Sequence, residues 1–577
     1  MAYANRYANE AKRMAENEQD PVRKMELLEI EKTCRRVPEH PAENLQQALQ
    51  TVWFIQLLLQ VMDNGVSISP GRIDQWLYTF YESEILEQGK SKAECQGLLE
   101  TFWIKFCEPT KLYRAADAEI HSGFPMGQNV CVGGLTPEGL DATNDLSYRF
   151  LECQKHIRFS QPNFAVRMHI GTPYEFLSKV CEIVAEGGGL PQILNDEVYI
   201  PALLTLGVSL HDARNYAPEG CVEGTPLNAW GRGNGGFTNI CKMFELALND
   251  GVCRITGKQV GPKTGDPRKF KTFEDVLDAY EKQVEHSARL IVTWNNTLDH
   301  IHETRMPIPL MSILLDDCME VGKDVTSGGA KYNWTGPVMT GPASLGNMLY
   351  AVKKVVFEDK RYSMSELIDA LDNDFKDNEA MRQYLINRVD KYGNDIDEVD
   401  YMARYATDVL LEALYHYETY RGGHFTASYA PVSGYIPLGH AVGATPDGRH
   451  AHEPLSDGIS PSMGTDLNGP TAAFKSVVKL DHYFVPNGLL YNFKINPSTV
   501  RTPEGMKKFA QLVQTYITLK GMQIQINIVD GETLKAAKAN PQEHRGLVVR
   551  VAGYSAFFTE LSEEVQDTII ARTEHKI

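Results

Sequence analysis

Apolar positions in this chain recur with two different periods. Residues 1 to about 60 carry Ala, Leu, Met and Ile at helical spacing; Pro38 and Pro41 break the run, and Ala42 to Met62 resumes it. Further on the pattern shortens. Asn163 to His169 predicts a strand, Glu175 to Glu186 a helix stopped by Gly187-Gly188-Gly189, and Gln192 to Asn195 another short strand. Residues 364–420 predict a charged, helical outer layer, and His424 to Val432 a strand. Gln523-Ile524-Gln525-Ile526-Asn527-Ile528 alternates strictly, as a strand with one face toward a polar interior would. Strands interleaved with helices predict an α/β fold with a largely parallel sheet.

Between these elements lie glycine- and proline-rich segments that carry the candidate chemistry. In Tyr216 to Pro226, the residues Pro218, Gly220, Gly224 and Pro226 exclude a helix, so the segment is an extended loop. Residues i and i+2 of an extended segment face one way, which puts Cys221 and Glu223 into one space and turns Val222 from it. Trp230 to Phe237 is glycine-rich, but lacks the Lys-Ser/Thr ending of a phosphate-binding loop, so it reads as a pocket lining ahead of a helix Asn239 to Leu248. Asp316 to Asp324 is acidic without calcium-loop spacing, and reads as a surface turn. Near the C-terminus the buried strand Gly546-Leu547-Val548-Val549 runs into Arg550-Val551-Ala552-Gly553-Tyr554-Ser555-Ala556-Phe557-Phe558. A glycine such as Gly553 inside a strand pattern ordinarily marks a bulge or a close backbone approach.

Composition narrows the classes. The chain has 577 residues, 43% hydrophobic and 23% charged, ordinary for a globular protein with a sizeable core. Its net charge of −18, with no offsetting basic stripe, argues against nucleic acid. Met1 leads straight into a charged helical pattern rather than a signal peptide, and the apolar stretch Val52 to Met62 is too short to cross a bilayer. Ten cysteines without a CxxC spacing read as reduced thiols of the cytoplasm and support neither a zinc nor an iron–sulfur site, so no metal is expected.

The string Arg550 to Phe558 resembles the glycyl radical motif of the glycyl radical enzymes, the family of pyruvate formate-lyase and the anaerobic dehydratases. Asn64 to Gln75, Gly443 to Arg449 and Glu453 to Gly458 resemble further segments of that family, and Gly220-Cys221-Val222-Glu223 resembles the thiyl loop of its dehydratase and decarboxylase branches. The resemblance implies a ten-stranded α/β barrel of two antiparallel five-stranded parallel halves, with two loops meeting inside. It divides the chain into a barrel domain, residues 1–450, and a C-terminal glycyl radical domain, residues 451–577.

On that resemblance Gly553 stores the radical, Cys221 carries the thiyl and Glu223 is the base. Glycine suits the first role on physical grounds: an α-carbon radical is delocalised between amide nitrogen and carbonyl, which needs a planar carbon that a Cβ would crowd. No bound cofactor is implied. The radical on Gly553 is installed post-translationally by a separate radical S-adenosylmethionine activating enzyme in an anaerobic cytoplasm. A single Cys221, where pyruvate formate-lyase has two adjacent cysteines, argues against acyl transfer from pyruvate.

His121, Ser122, Gly127, Tyr429 and Ser433 are the candidate contacts to a small-molecule substrate. Gly127 stands where several dehydratases carry a bulky aromatic, which implies a roomier pocket. Dehydration of a small hydroxylated substrate is the first reading. An arylacetate-type decarboxylase is the second, and a radical-incompetent truncated relative the third, because family members are longer at the N-terminus. A Cys–His hydrolase built from Cys221 with His169 or His211 has no supporting local signature. A homodimer is compatible with the sequence.

Overall fold

The computed structural model describes residues 1–62, 65–229 and 232–577; Asp63 and Asn64 of the first turn-rich segment, and Trp230 and Gly231 of the glycine-rich loop, lie outside the described residues. The expected N-terminal helices are Ala2–Asn17, Pro21–Arg36 and Leu45–Met62. Ala4, Ala8, Ala11 and Ala15 form the buried stripe of the first helix, and such small side chains let the second pack close alongside it. Asp20 begins that second helix by accepting a hydrogen bond from the Val22 amide, ahead of Pro21 in the first turn.

Twelve strands follow among the described residues: β1 Gly71–Arg72, β2 Asn129–Gly133, β3 Asn163–Met168, β4 Gln192–Asn195, β5 Tyr216–Glu219, β6 Glu223–Pro226, β7 Phe237–Asn239, β8 Val338–Thr340, β9 Asn492–Ile495, β10 Gln523–Ile528, β11 Val548–Arg550 and β12 Ser555–Phe557. β1 to β4 lie side by side and parallel, with Val130 opposite Phe164 and Val166 opposite Ile193. β10 then joins β4 antiparallel, Gln523 opposite Leu194, and β9 joins β10 in parallel. From there Tyr429 bridges Leu489 and Ser428 bridges Val338, both in parallel, and lead to the parallel pair β8–β7. Two parallel halves therefore meet antiparallel in a barrel wrapped by helices. β9 and β10 follow residue 450, so the barrel sheet draws on both sides of the expected boundary.

The expected strand 424–432 forms only isolated bridges, through Phe425, Ser428 and Tyr429. Its neighbour contains Pro337, which offers a carbonyl to the Ser428 amide but has no N–H to return, so the ladder cannot run on. The helices Met364–Asp372, Glu379–Asn387 and Asp397–Tyr415 form the charged outer layer; the last packs on Phe273–Arg305 and on the wholly buried Pro342–Val352.

β2, β3, β4 and β10 are buried on both faces, as a barrel with helices outside and loops inside requires. In β10 the isoleucines belong to the apolar core, while Gln523, Gln525 and Asn527 reach polar partners at Gln192, Asn492 and Arg550. Within the acidic turn, Asp324 accepts from the amides of Ile308 and Thr326 and from the Ser312 hydroxyl, which is a structural use of its charge. Among the described residues no helix is long and apolar enough to cross a membrane, and no three His, Cys, Asp or Glu side chains gather as a metal site would need.

Candidate active site

Two hairpin tips meet inside the barrel. β5 and β6 pair antiparallel up to Glu219 opposite Glu223, which leaves Gly220, Cys221 and Val222 as the tip, with Gly220 at φ +58°. β11 and β12 pair from Val548–Phe557 to Arg550–Ser555, and their tip is closed by a hydrogen bond from the Val551 amide to the Tyr554 carbonyl. Gly553 sits in that tip at φ +86°, a left-handed conformation that other residues rarely adopt. A Cβ on Gly553 would stand 2.6 Å from the Cys221 Sγ and 3.0 Å from Leu490 Cδ1. Since a Cα–Cβ bond is about 1.5 Å long, the sulfur lies within about 4 Å of the Gly553 α-carbon.

Cys221 and Glu223 do come together, though not by extended alternation. Cys221 is on the turn itself, where the two-residue period fails, and Glu223 folds back beneath it. Its Oε2 accepts from the amides of Cys221 (2.6 Å) and Val222 (2.8 Å). Burial, opposed by those amide bonds, lifts the Glu223 carboxyl to about 7. Glu219, its cross-strand neighbour, shares its face of the hairpin; burial first and Glu223 second hold its carboxyl well above the usual range. Glu219 went unread in the sequence, where only the Cys-x-Glu spacing stood out.

Burial, then the Glu223 charge, push the Cys221 thiol well above its ordinary value, against a smaller pull from Arg550. The sulfur therefore stays S–H rather than thiolate. His169 pairs with Asp141 and the exposed His211 with Asp212, so neither activates this thiol and the hydrolase reading falls.

A shell of amides that the sequence reading passed over surrounds the tips. Asn163 Nδ2 donates to the carbonyls of both Gly220 (2.9 Å) and Gly553 (3.0 Å). Asn129 Nδ2 donates to Gly220 O (2.7 Å), and Gln192 Nε2 to Cys221 O (2.7 Å). Behind them Arg550 is fully buried, and its guanidinium donates to Asn163 Oδ1 (2.6 Å), Gln192 Oε1 (3.1 Å) and Gln525 Oε1 (2.5 Å); desolvation lowers it to about 9. Polar residues in otherwise apolar buried strands, such as Asn163 before Phe164-Ala165-Val166, were the available signal.

The remaining candidates divide. His121 stacks on Tyr113 with ring centroids 4.7 Å apart, its Nδ1 donating to Asp117 O (2.8 Å), and burial lowers its pKa. Tyr113 itself, raised by burial and then by Cys221, lies on the thiol's side, a position the sequence did not reveal. The hydroxyls of Ser122 and Ser433 are taken by the backbone. Ser433 Oγ accepts from the Ser122 amide and donates to Ile120 O, while Ser122 Oγ accepts from the Ser562 amide. The Ser122 carbonyl accepts from the Tyr554 hydroxyl, so this pair braces the residue next to Gly553.

Gly127 does not open the pocket. At φ +64°, a Cβ there would lie 2.9 Å from Ser67 Oγ and 3.2 Å from Gly220 Cα, so the glycine permits close approach to the Cys221 tip. Tyr429 is not at the site either. Its ring belongs to the main core and its hydroxyl lies toward Thr407 and Asp408 of the helix layer, while Ala430 and Val432 join Val222, Leu490 and Tyr554 around the tips.

The barrel closes around a thiol tip and a glycine tip that stand in contact. The family described as Pyruvate formate lyase-like matches residues 1–439, and that described as Glycine radical matches residues 455–559. This chain belongs to the glycyl radical enzymes. It is 39% identical to the Probable dehydratase YbiW of Escherichia coli over 100% of this chain and 73% of that one, and 37% identical to Trans-4-hydroxy-L-proline dehydratase of Clostridioides difficile over 99% and 72%. The glycerol-bound B12-independent glycerol dehydratase from Clostridium butyricum superposes with a TM-score of 0.97 at 41% identity, over 100% of this chain and 72% of that one. Indoleacetate decarboxylase of Tractidigestivibacter scatoligenes stands at 33%, over 100% and 68%.

Proposed function

We propose that this protein removes water from a small hydroxylated substrate, with Gly553 as the radical store, Cys221 as the hydrogen-atom carrier and Glu223 as the base. The contact between Cys221 and Gly553, with a carboxylate of near-neutral pKa folded against the backbone amides of the same thiol tip, is the observation that carries this reading. The Gly553 radical takes the hydrogen atom of the Cys221 S–H and leaves a thiyl radical. The thiyl takes a hydrogen atom from a substrate C–H that bears a hydroxyl, and S–H is restored. Glu223 removes the hydroxyl proton. The resulting ketyl radical anion expels the neighbouring hydroxide, which leaves as water with the proton held by Glu223. The product radical then takes its hydrogen atom back from the thiol.

Dehydration is preferred to decarboxylation because the relatives at 37–41% identity include dehydratases of trans-4-hydroxy-L-proline and glycerol, whereas the indoleacetate decarboxylase stands at 33%. The radical on Gly553 comes from a separate activating enzyme of the radical S-adenosylmethionine class, a reading supported by the match of residues 455–559 to the Glycine radical family. Residues 451–577 supply the radical hairpin together with two barrel strands. The test is anaerobic activation followed by assay on a panel of diols and hydroxylated amino acids beside arylacetates. Loss of water with a doublet electron paramagnetic resonance signal supports the reading; carbon dioxide release, or no doublet, contradicts it.

A further inference from the structure

We propose that Arg550, through Asn163 and Gln192, is a positioning device that sets the approach of the Gly553 α-carbon to the Cys221 sulfur. The inference rests on the roles assigned above to Gly553 and Cys221. The transfer it governs is balanced: the S–H bond of Cys221 breaks, a C–H bond forms at the Gly553 α-carbon, and the unpaired electron ends on sulfur.

The argument begins with an oddity of charge. Arg550 is fully buried, yet its guanidinium bonds no carboxylate; its three closest partners are amide oxygens of Asn163, Gln192 and Gln525. Burying an unpaired cation is expensive, and packing alone could be met by an apolar side chain. What the cation does is fix orientation. A guanidinium only donates, so it holds the oxygen end of each amide toward itself and turns the NH2 ends the other way.

The NH2 ends of Asn163 and Gln192 meet the two tips, while that of Gln525 turns to Asn492 Oδ1. Asn163 donates to Gly220 O and Gly553 O, one from each tip, and Gln192 donates to Cys221 O. Asn163 stands at the start of β3 and Gln192 at the start of β4, two neighbouring barrel strands, while Arg550 ends the strand that leads into Gly553. One cation of the radical hairpin thereby clamps its own tip and the thiol tip to the same rigid sheet. Displacements of an ångström between reacting atoms can cost about a hundredfold in rate.

Two isosteric substitutions separate positioning from folding. Asn163→Asp and Gln192→Glu keep the oxygen that Arg550 needs and add a charge pair, but replace the donating NH2 with an oxygen facing a carbonyl. The measurement is collapse of the glycyl doublet in deuterium oxide, where the exchanged thiol delivers deuterium to the α-carbon in the forward transfer and the reverse transfer, taking the hydrogen instead, leaves a deuterated radical. Both variants should melt within a few degrees of wild type and form the doublet. Collapse should slow by about tenfold or more, and kcat should fall while KM stays within about threefold. Asn163→Asp should also change the α-hydrogen splitting, because the Gly553 carbonyl shares the spin and loses a donor. Wild-type collapse and turnover in both variants would overturn the positioning role alone. A wild-type protein that never forms an exchanging doublet would overturn the functional reading and this one with it.

Discussion

The Cys221 sulfur occupies the place where a side chain on Gly553 would begin: a Cβ built there lies 2.6 Å from Sγ. The contact joins positions 332 residues apart in sequence and leaves room for a bare α-carbon only.

Gly553→Ala is therefore expected to fail twice. The methyl meets Cys221 and Leu490, and φ +86° is strained for alanine, so the variant should lose roughly 1–3 kcal/mol or more in denaturant melts. After activation it should show no doublet. Air should cut the activated wild-type chain at Gly553 and release the short C-terminal piece, seen on a denaturing gel, while the alanine variant stays whole.

Glu223 sets a pH dependence of opposite sign for stability and activity. Its folded pKa of about 7 lies above the ordinary 4.5, so its contribution to stability is full below about 4.5 and is lost as pH rises through 7. Catalysis needs the ionised form, so turnover should rise with pH across the same window. Glu223→Gln keeps an oxygen for the Cys221 and Val222 amides. It should melt higher than wild type at pH 8, by roughly 2–3 kcal/mol, with the gap closing toward pH 5, while kcat falls by about 10²–10⁴.

Gly127→Ala tests close approach against a roomy pocket. With Ser67 Oγ 2.9 Å and Gly220 Cα 3.2 Å from the new methyl, the variant should lose about 1–2 kcal/mol and turn over all substrates more slowly. A normal melting temperature with selective loss of bulky substrates would restore the pocket reading.

Tyr429→Phe should leave KM and product unchanged, because the hydroxyl lies in the helix layer. A KM raised tenfold would return Tyr429 to the site.

Much of this was legible in the chain. The alternation in residues 523–528 announced a strand with a polar side, and the prolines and glycines of 216–226 announced an extended, non-helical segment, because both signals are local. The distribution of the network was not. Asn163, Gln192 and Arg550 come together only when β3, β4 and the radical hairpin converge, and a polar residue opening an apolar strand marks a buried polar partner without saying which distant residue it meets. Tyr429 went astray for a related reason. The sequence places a strand at 424–432 but not which of its faces points inward, and Pro337 across the ladder removed the regularity that would have told.

The most direct measurement is the glycyl signal of activated protein in deuterium oxide, compared between wild type and Cys221→Ser. Transfer between the two tips predicts that the wild-type doublet collapses to a singlet as deuterium passes from sulfur to the Gly553 α-carbon, and that the serine variant keeps its doublet. A wild-type doublet that persists, or a serine variant that collapses equally fast, would contradict the account.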